Sequence, residues 1–183
     1  MIQWKMSGTF VLLFLAVSVT ACSENIVEPE GEEVTSLSQI IPEGGAINVD
    51  PNAPITIVFS HPMGSGMEMY IALHEGNTGG PIIEGTWTWS EDLMTVTFQP
   101  NSPLNPGTDY SVHLGGGMTD MDGDHINYEE HGMNMGGTWV TEQMLGEFST
   151  GMMGEMGSMM GSGWQHHNGT YGMVFTFTTG SAI

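Results

Sequence analysis

From residue 38 onward, apolar residues come in short runs separated by turn residues, and no segment carries the 3.6-residue repeat that a packed helix needs. The runs predict strands over 46–49, 55–59, 69–74, 82–89, 94–99, 110–114 and 174–179. Punctuation between them is strong: PEGG at 42–45, DPNAP at 50–54, GNTGG at 76–80, SED at 90–92 and PNSPLNPG at 100–107. Short, evenly spaced strands of this kind predict an all-β sandwich. Its core is expected to contain Ile57, Phe59, Val96, Phe98, Tyr110, Val112 and Phe175 or Phe177. In the hairpin TWTWSEDLMTVTF, Trp87 and Trp89 share one face of the first strand, and Met94, Val96 and Phe98 share one face of the second. Paired aromatics on a strand can form a sugar platform, but their alternation favours a core face.

The order of these segments resembles a known family. IIPEGGAINVDPNAPITIVFSHPM is followed by TVTFQPNSPLNPGTDYSVHL, then TDMDGDHI, and finally FTFTTG. The positions that carry the likeness are Phe59, Ser60, Pro62 and Met63; Phe98 and Pro100; Leu104, Gly107, Thr108 and Tyr110; Asp120, Gly123 and Asp124; and Phe177, Thr179 and Gly180. Together they resemble the SbsA-type bacterial Ig-like domain, over residues 40–126 and 174–180. The resemblance implies an Ig-like β-sandwich in an exported or cell-surface protein, serving as a spacer, adhesion or interaction module without catalytic residues. It also implies that Met63 is a core position and that 120–124 is a turn.

The N-terminal end reads as an address. Lys5 precedes an apolar run, Phe10 to Leu15, and small residues lead to Cys22. The apolar stretch is too short to span a bilayer. Val19-Thr20-Ala21-Cys22 resembles the lipobox of bacterial lipoproteins, whose Cys becomes the acylated first residue of the mature chain. Residues 1–21 are therefore expected to be a lipoprotein signal peptide, with Cys22 as the lipidation site; an ordinary secretory signal is the alternative. Cys22 is the single Cys, so no disulfide or Cys-based zinc site competes for it. Ser23 in place of Asp points to the outer membrane, with the lipid anchor giving the protein a membrane partner. Residues 22–37 are acidic and aperiodic, the composition of a flexible tether, and 38–183 form the expected Ig-like domain.

Charge narrows the function classes further. One Lys or Arg stands against 21 Asp and Glu, a formal net charge of -20. Nucleic acid is excluded as a partner, because phosphate affinity comes from Lys and Arg. Chemistry that needs an Arg clamp, a Schiff-base Lys or a Walker Lys is excluded with it. No nucleophile elbow, HExxH or phosphate loop occurs, so a non-enzymatic protein is expected.

Candidate chemistry lies in residues 127–173, an insertion where the family needs only a short connection. The stretch 115–173 holds 11 of the 17 Met and four of the seven His amid dense Gly. Three clusters stand out: His131, Met133 and Met135; Met152, Met153, Met156, Met159 and Met160; and His166 with His167. Thioethers are soft donors that suit Cu(I) or Ag(I), and imidazole suits Cu(II) or Zn(II). These residues are the expected ligands of a copper or silver ion, ahead of zinc. An apolar lid or a low-complexity loop without ligand is the competing reading. A second Phe-x-Thr-Gly at 148–151 competes with the later one for the closing strand, and the alternation of VFTFT favours the later.

Asp120, Asp122 and Asp124 are candidate calcium ligands, alternating as in a calcium loop, or else part of a solvated turn. An EF-hand is rejected, because its sixth and twelfth positions are His125 and His131 rather than Gly and Glu.

Overall fold

The computed structural model describes residues 34–141, 144 and 162–181. Among the described residues, nine strands form two sheets. The first contains β1 (Leu37–Ile41), β3 (Ile55–Phe59), β6 (Thr95–Pro100) and β5 (Gly85–Trp89), in the order β1-β3-β6-β5 and antiparallel throughout. The second runs β2 (Ala46–Val49), β9 (Met173–Thr179), β7 (Asp109–Leu114) and β4 (Ile71–Glu75). Its neighbours are antiparallel except β2, which lies parallel to β9. A two-residue strand, β8 (Thr138–Trp139), pairs with the first residues of β9, while β2 pairs with its last.

Alternation builds the core. Ile55, Ile57 and Phe59 of β3 and Val96 and Phe98 of β6 meet Tyr110, Val112 and Leu114 of β7 and Met173, Phe175 and Phe177 of β9, all buried in one cluster. Every core residue expected from the pattern lies there, including both Phe175 and Phe177. Burying a Phe or Leu side chain contributes roughly 1.5–3 kcal/mol, so these rows are the main source of stability. Trp87 and Trp89 are half-buried and pack on the same cluster, Trp87 against Phe98 and Trp89 against Phe59, which is the core-face reading. Met63 is fully buried, as the resemblance implies.

Several boundaries differ from the sequence pattern. β1 was not expected, because a register shift between Leu37 and Gln39 breaks its alternation into buried, exposed, exposed, buried, exposed. Thr35 and Leu37, on the tether side of the boundary expected at residue 38, are buried. The run 69–74 opens as a 3-10 turn, Met67–Tyr70, before β4 begins. The run 82–89 divides between the sheets: Ile82 bridges His74 of β4, and only Gly85–Trp89 joins β6. The closing strand is the later one, β9, placed centrally between β7 and β2; Phe148 to Gly151 lie outside the described residues.

The second sheet is buried on its core face and, over β4, β7 and the start of β9, on its other face as well. On the side away from the core, Ala72 and Val174 pack with Val140, Trp164 and Tyr171, all from the inserted region, and His74, Ser111 and His113 are buried too. The described flanks of the insertion therefore form a third layer over β4, β7 and β9.

Candidate functional site

Where β7 ends, Gly115-Gly116-Gly117 gives the inserted segment a seat without side chains. A Cβ on Gly115 would meet the Trp164 ring at 2.6 Å, one on Gly116 the His166 backbone at 2.5 Å, and one on Gly117 the Gly163 carbonyl oxygen, so 163–166 can approach only a glycine backbone. Beyond the seat, His166, His167, Asn168 and Gly169 turn sharply. Asn168 accepts from the Thr170 N–H and hydroxyl, Gly169 takes a φ of 89°, and the Gly169 and His166 N–H groups donate to the His166 and Thr170 carbonyls respectively. This Asn-Gly turn holds two adjacent imidazoles at its tip.

His166 is 3% exposed and lies between Trp139, 4.6 Å away by ring centre, and Tyr128, 5.8 Å away. Tyr128 is itself fixed, donating its hydroxyl to the Gly115 carbonyl at 3.0 Å, and burial pushes that phenol upward in pKa. Next to it, Glu129 is placed by its own N–H, which donates to the Asn127 side chain at 2.9 Å. Its carboxylate reaches 3.3 Å from His167 Nε2. The rings of His166 and His167 are 3.8 Å apart. Ligand atoms of Glu129, His166 and His167 all lie within 4.8 Å of one another, the one such group of three His, Cys, Asp or Glu among the described residues.

His166 and His167 line a cavity of about 550 Å³ together with Gly116, Gly117, His125, Ile126, Gly163 and Gln165. Desolvation holds His166 below the usual histidine pKa, against a raising contact from the Asn168 N–H on Nδ1; nearby His167 and His125 lower it further, while Glu129 raises it. It is therefore neutral at pH 7, the form that binds metal. Its Nε2 is buried without a hydrogen-bond partner. The Asn168 contact to Nδ1 is long, 3.3 Å, and puts the ring proton on Nε2; coordination through Nε2 would give up that contact. Two imidazoles and a carboxylate form a donor set of the type that takes Zn(II) or Cu(II).

Of the ligands expected from sequence, His166 and His167 are brought together here. His131 sits beside Glu130 at 3.7 Å, outside the group of three. Met133 is 63% exposed, and Met135 is half-buried against the core. Met152, Met153, Met156, Met159 and Met160 lie outside the described residues, as does Cys22. Glu129 and His125 as companions of the histidine pair, and the glycine seat, were not expected; the signals for them were the Gly triplet directly after a strand and an acidic pair four residues past a His.

Asp120 anchors a turn. It accepts from the N–H groups of Asp122 and Asp124 at 3.0 and 2.9 Å and from the Thr35 hydroxyl at 2.5 Å. Burial would raise its pKa, yet these bonds hold it below the usual carboxylate value. Asp122 and Asp124 are exposed.

Residues 32–135 match the bacterial Ig-like domain family known as Big_5, more than half of the chain, and the protein belongs to that family. Among curated proteins none matches. Similar solved structures include domains 1–6 of the surface layer protein SbsC (13% identity, TM-score 0.42, covering 84% of this chain and 15% of that one). Others are the Mycobacterium tuberculosis L,D-transpeptidase 1 (18% identity, TM-score 0.36, covering 51% and 38%) and Escherichia coli alpha-2-macroglobulin over domains MG0-NIE-MG1 (17% identity, TM-score 0.39, covering 52% and 29%). The chain spans well under two thirds of each of those chains.

Proposed function

We propose that this is a non-enzymatic envelope lipoprotein, anchored through Cys22 and probing the space outside the membrane with an Ig-like domain whose insertion binds copper. One observation carries the reading: ligand atoms of Glu129, His166 and His167 converge within 4.8 Å, the two histidines line a cavity, and His166 has a buried ring nitrogen without a partner. Copper is favoured over zinc, because an N/O site of given geometry binds Cu(II) most tightly among first-row divalent ions. The Met of 152–160 add soft donors for Cu(I) or Ag(I), which suits handling of, or resistance to, these ions. Export fits the family match and the lipobox-like string, and outer-membrane placement follows from Ser23.

Competition for Cu(II) against a weak chelator tests this reading. The protein should win one equivalent, and a His166→Ala/His167→Ala variant should lose it. A parent that never competes leaves the second reading, a structural or adhesive Ig-like module, which family membership alone supports.

A further inference from the structure

A second pair of histidines lies under the third layer. His74 on β4 and His113 on β7 are both fully buried, diagonal neighbours on the face of the sheet away from the core, since His113 pairs with Ala72 and His74 with Ser111. Each ring is tethered by one nitrogen to a carbonyl. His74 Nδ1 meets the Gly80 oxygen at 3.1 Å, and His113 Nε2 meets the Tyr171 oxygen at 2.6 Å. A carbonyl only accepts, so each tethered nitrogen carries the proton and the other nitrogen keeps a bare lone pair. Both of those nitrogens, His74 Nε2 and His113 Nδ1, are buried with no partner.

The two tethers come from different elements. Gly80 belongs to the loop that runs along the outer edge of β4, where Ile82 bridges His74, whereas Tyr171 leads into β9 on the far side of β7. The two nitrogens of an imidazole lie on roughly opposite sides of the ring, so each bare nitrogen points away from its own tether, His74 Nε2 from the Gly80 carbonyl and His113 Nδ1 from the Tyr171 carbonyl. The ring centres are 6.3 Å apart. With roughly 1.1 Å from ring centre to nitrogen, facing nitrogens would stand about 4 Å apart, twice a metal–imidazole bond of about 2 Å. An N–H···N hydrogen bond would close that gap to about 3 Å.

We infer that His74 and His113 form a buried two-coordinate site for a monovalent d10 ion, Cu(I) or Ag(I), separate from the Glu129 group and independent of it. Two neutral imidazoles suffice for an ion that adopts linear coordination. No carboxylate or thiolate completes a group of three with them among the described residues, so a divalent ion would lack both charge and ligands there. Because both nitrogens already hold lone pairs, binding releases no proton. Trp164, whose ring centre is 5.0 Å from that of His113, roofs the site and offers a fluorescent report.

The test is Ag(I) added to the intact soluble protein, lipid signal removed, with the histidine ring nitrogens followed by long-range ¹H–¹⁵N spectra. As Ag(I) is titrated in, His74 Nε2 and His113 Nδ1 should shift together and Trp164 emission should fall with them, and the change at these two nitrogens should release no proton. His74→Gln and His113→Gln should each weaken that event by at least about tenfold, whereas His166→Ala/His167→Ala should leave it intact. If the two ring nitrogens of the wild type do not move with Ag(I), or a crystal soaked in Ag(I) shows only a water between them, the inference fails. The wild-type spectra decide it even where a Gln variant does not fold.

Discussion

Lowering the pH from about 7.5 to about 5 should destabilise the domain through its buried histidines, His113 foremost. Desolvation under Trp164 and Tyr171 depresses His113 to about 4, against 6.5 in an exposed chain, with the Tyr171 carbonyl pulling the other way and His74 adding to the depression. The unfolded chain therefore takes up a proton below pH 6.5 that the folded chain refuses until about 4. The stabilisation is complete above that window and is lost as pH falls through it. For His113 alone, linkage gives a loss of about 2 kcal/mol by pH 5. His74 and His166, both depressed by burial, act in the same direction. Asp120, held low by its hydrogen bonds, loses its contribution only at lower pH. In a domain of this size the His113 loss should lower Tm by about 4–8 °C. Thermal unfolding followed by Trp fluorescence at several pH values, for the parent and for His113→Phe, measures it. The variant should show a slope reduced by about one proton. A flat Tm between pH 7.5 and 5, or an unchanged slope in His113→Phe, would refute the buried, neutral assignment.

Gly117→Ala should drive a Cβ into the Gly163 carbonyl, unseat 163–166 and cost about 2 kcal/mol or more of stability along with the metal site, checked by denaturant unfolding and by copper competition on the folded fraction. Tyr128→Phe should cost about 1–3 kcal/mol in urea unfolding, because the Gly115 carbonyl loses a buried donor while the ring volume stays. Asp120→Asn should destabilise by about 2 kcal/mol, through weaker acceptance from Thr35 and the turn N–H groups, and should loosen the start of the domain to proteolysis near residue 34.

What was legible in the sequence follows from how each signal is encoded. Strands with one buried face, such as β3 and β6, print their alternation directly, and core residues from Ile57 to Phe177 could be named from it. β1 escaped because a register shift changes its phase, and β8 because two residues carry no period. His74 and His113 sit in strand positions that the alternation assigns to the outside. They are buried because a remote segment, Val140 with Trp164 and Tyr171, folds over that face, which no local pattern announces. His166 and His167 were visible as an unusual pair, but their partner Glu129 lies 37 residues earlier and meets them only because the glycine seat brings 163–166 back to the end of β7.

The central claim is that the insertion brings Glu129, His166 and His167 around one metal ion, and anomalous diffraction from crystals of the soluble protein grown with one equivalent of Cu(II) tests it most directly. A single peak at the copper edge within bonding distance of the His166 and His167 ring nitrogens and a Glu129 oxygen is the predicted result. Density for the three side chains with no anomalous peak between them, or copper bound elsewhere on the chain while they stay empty, would contradict it.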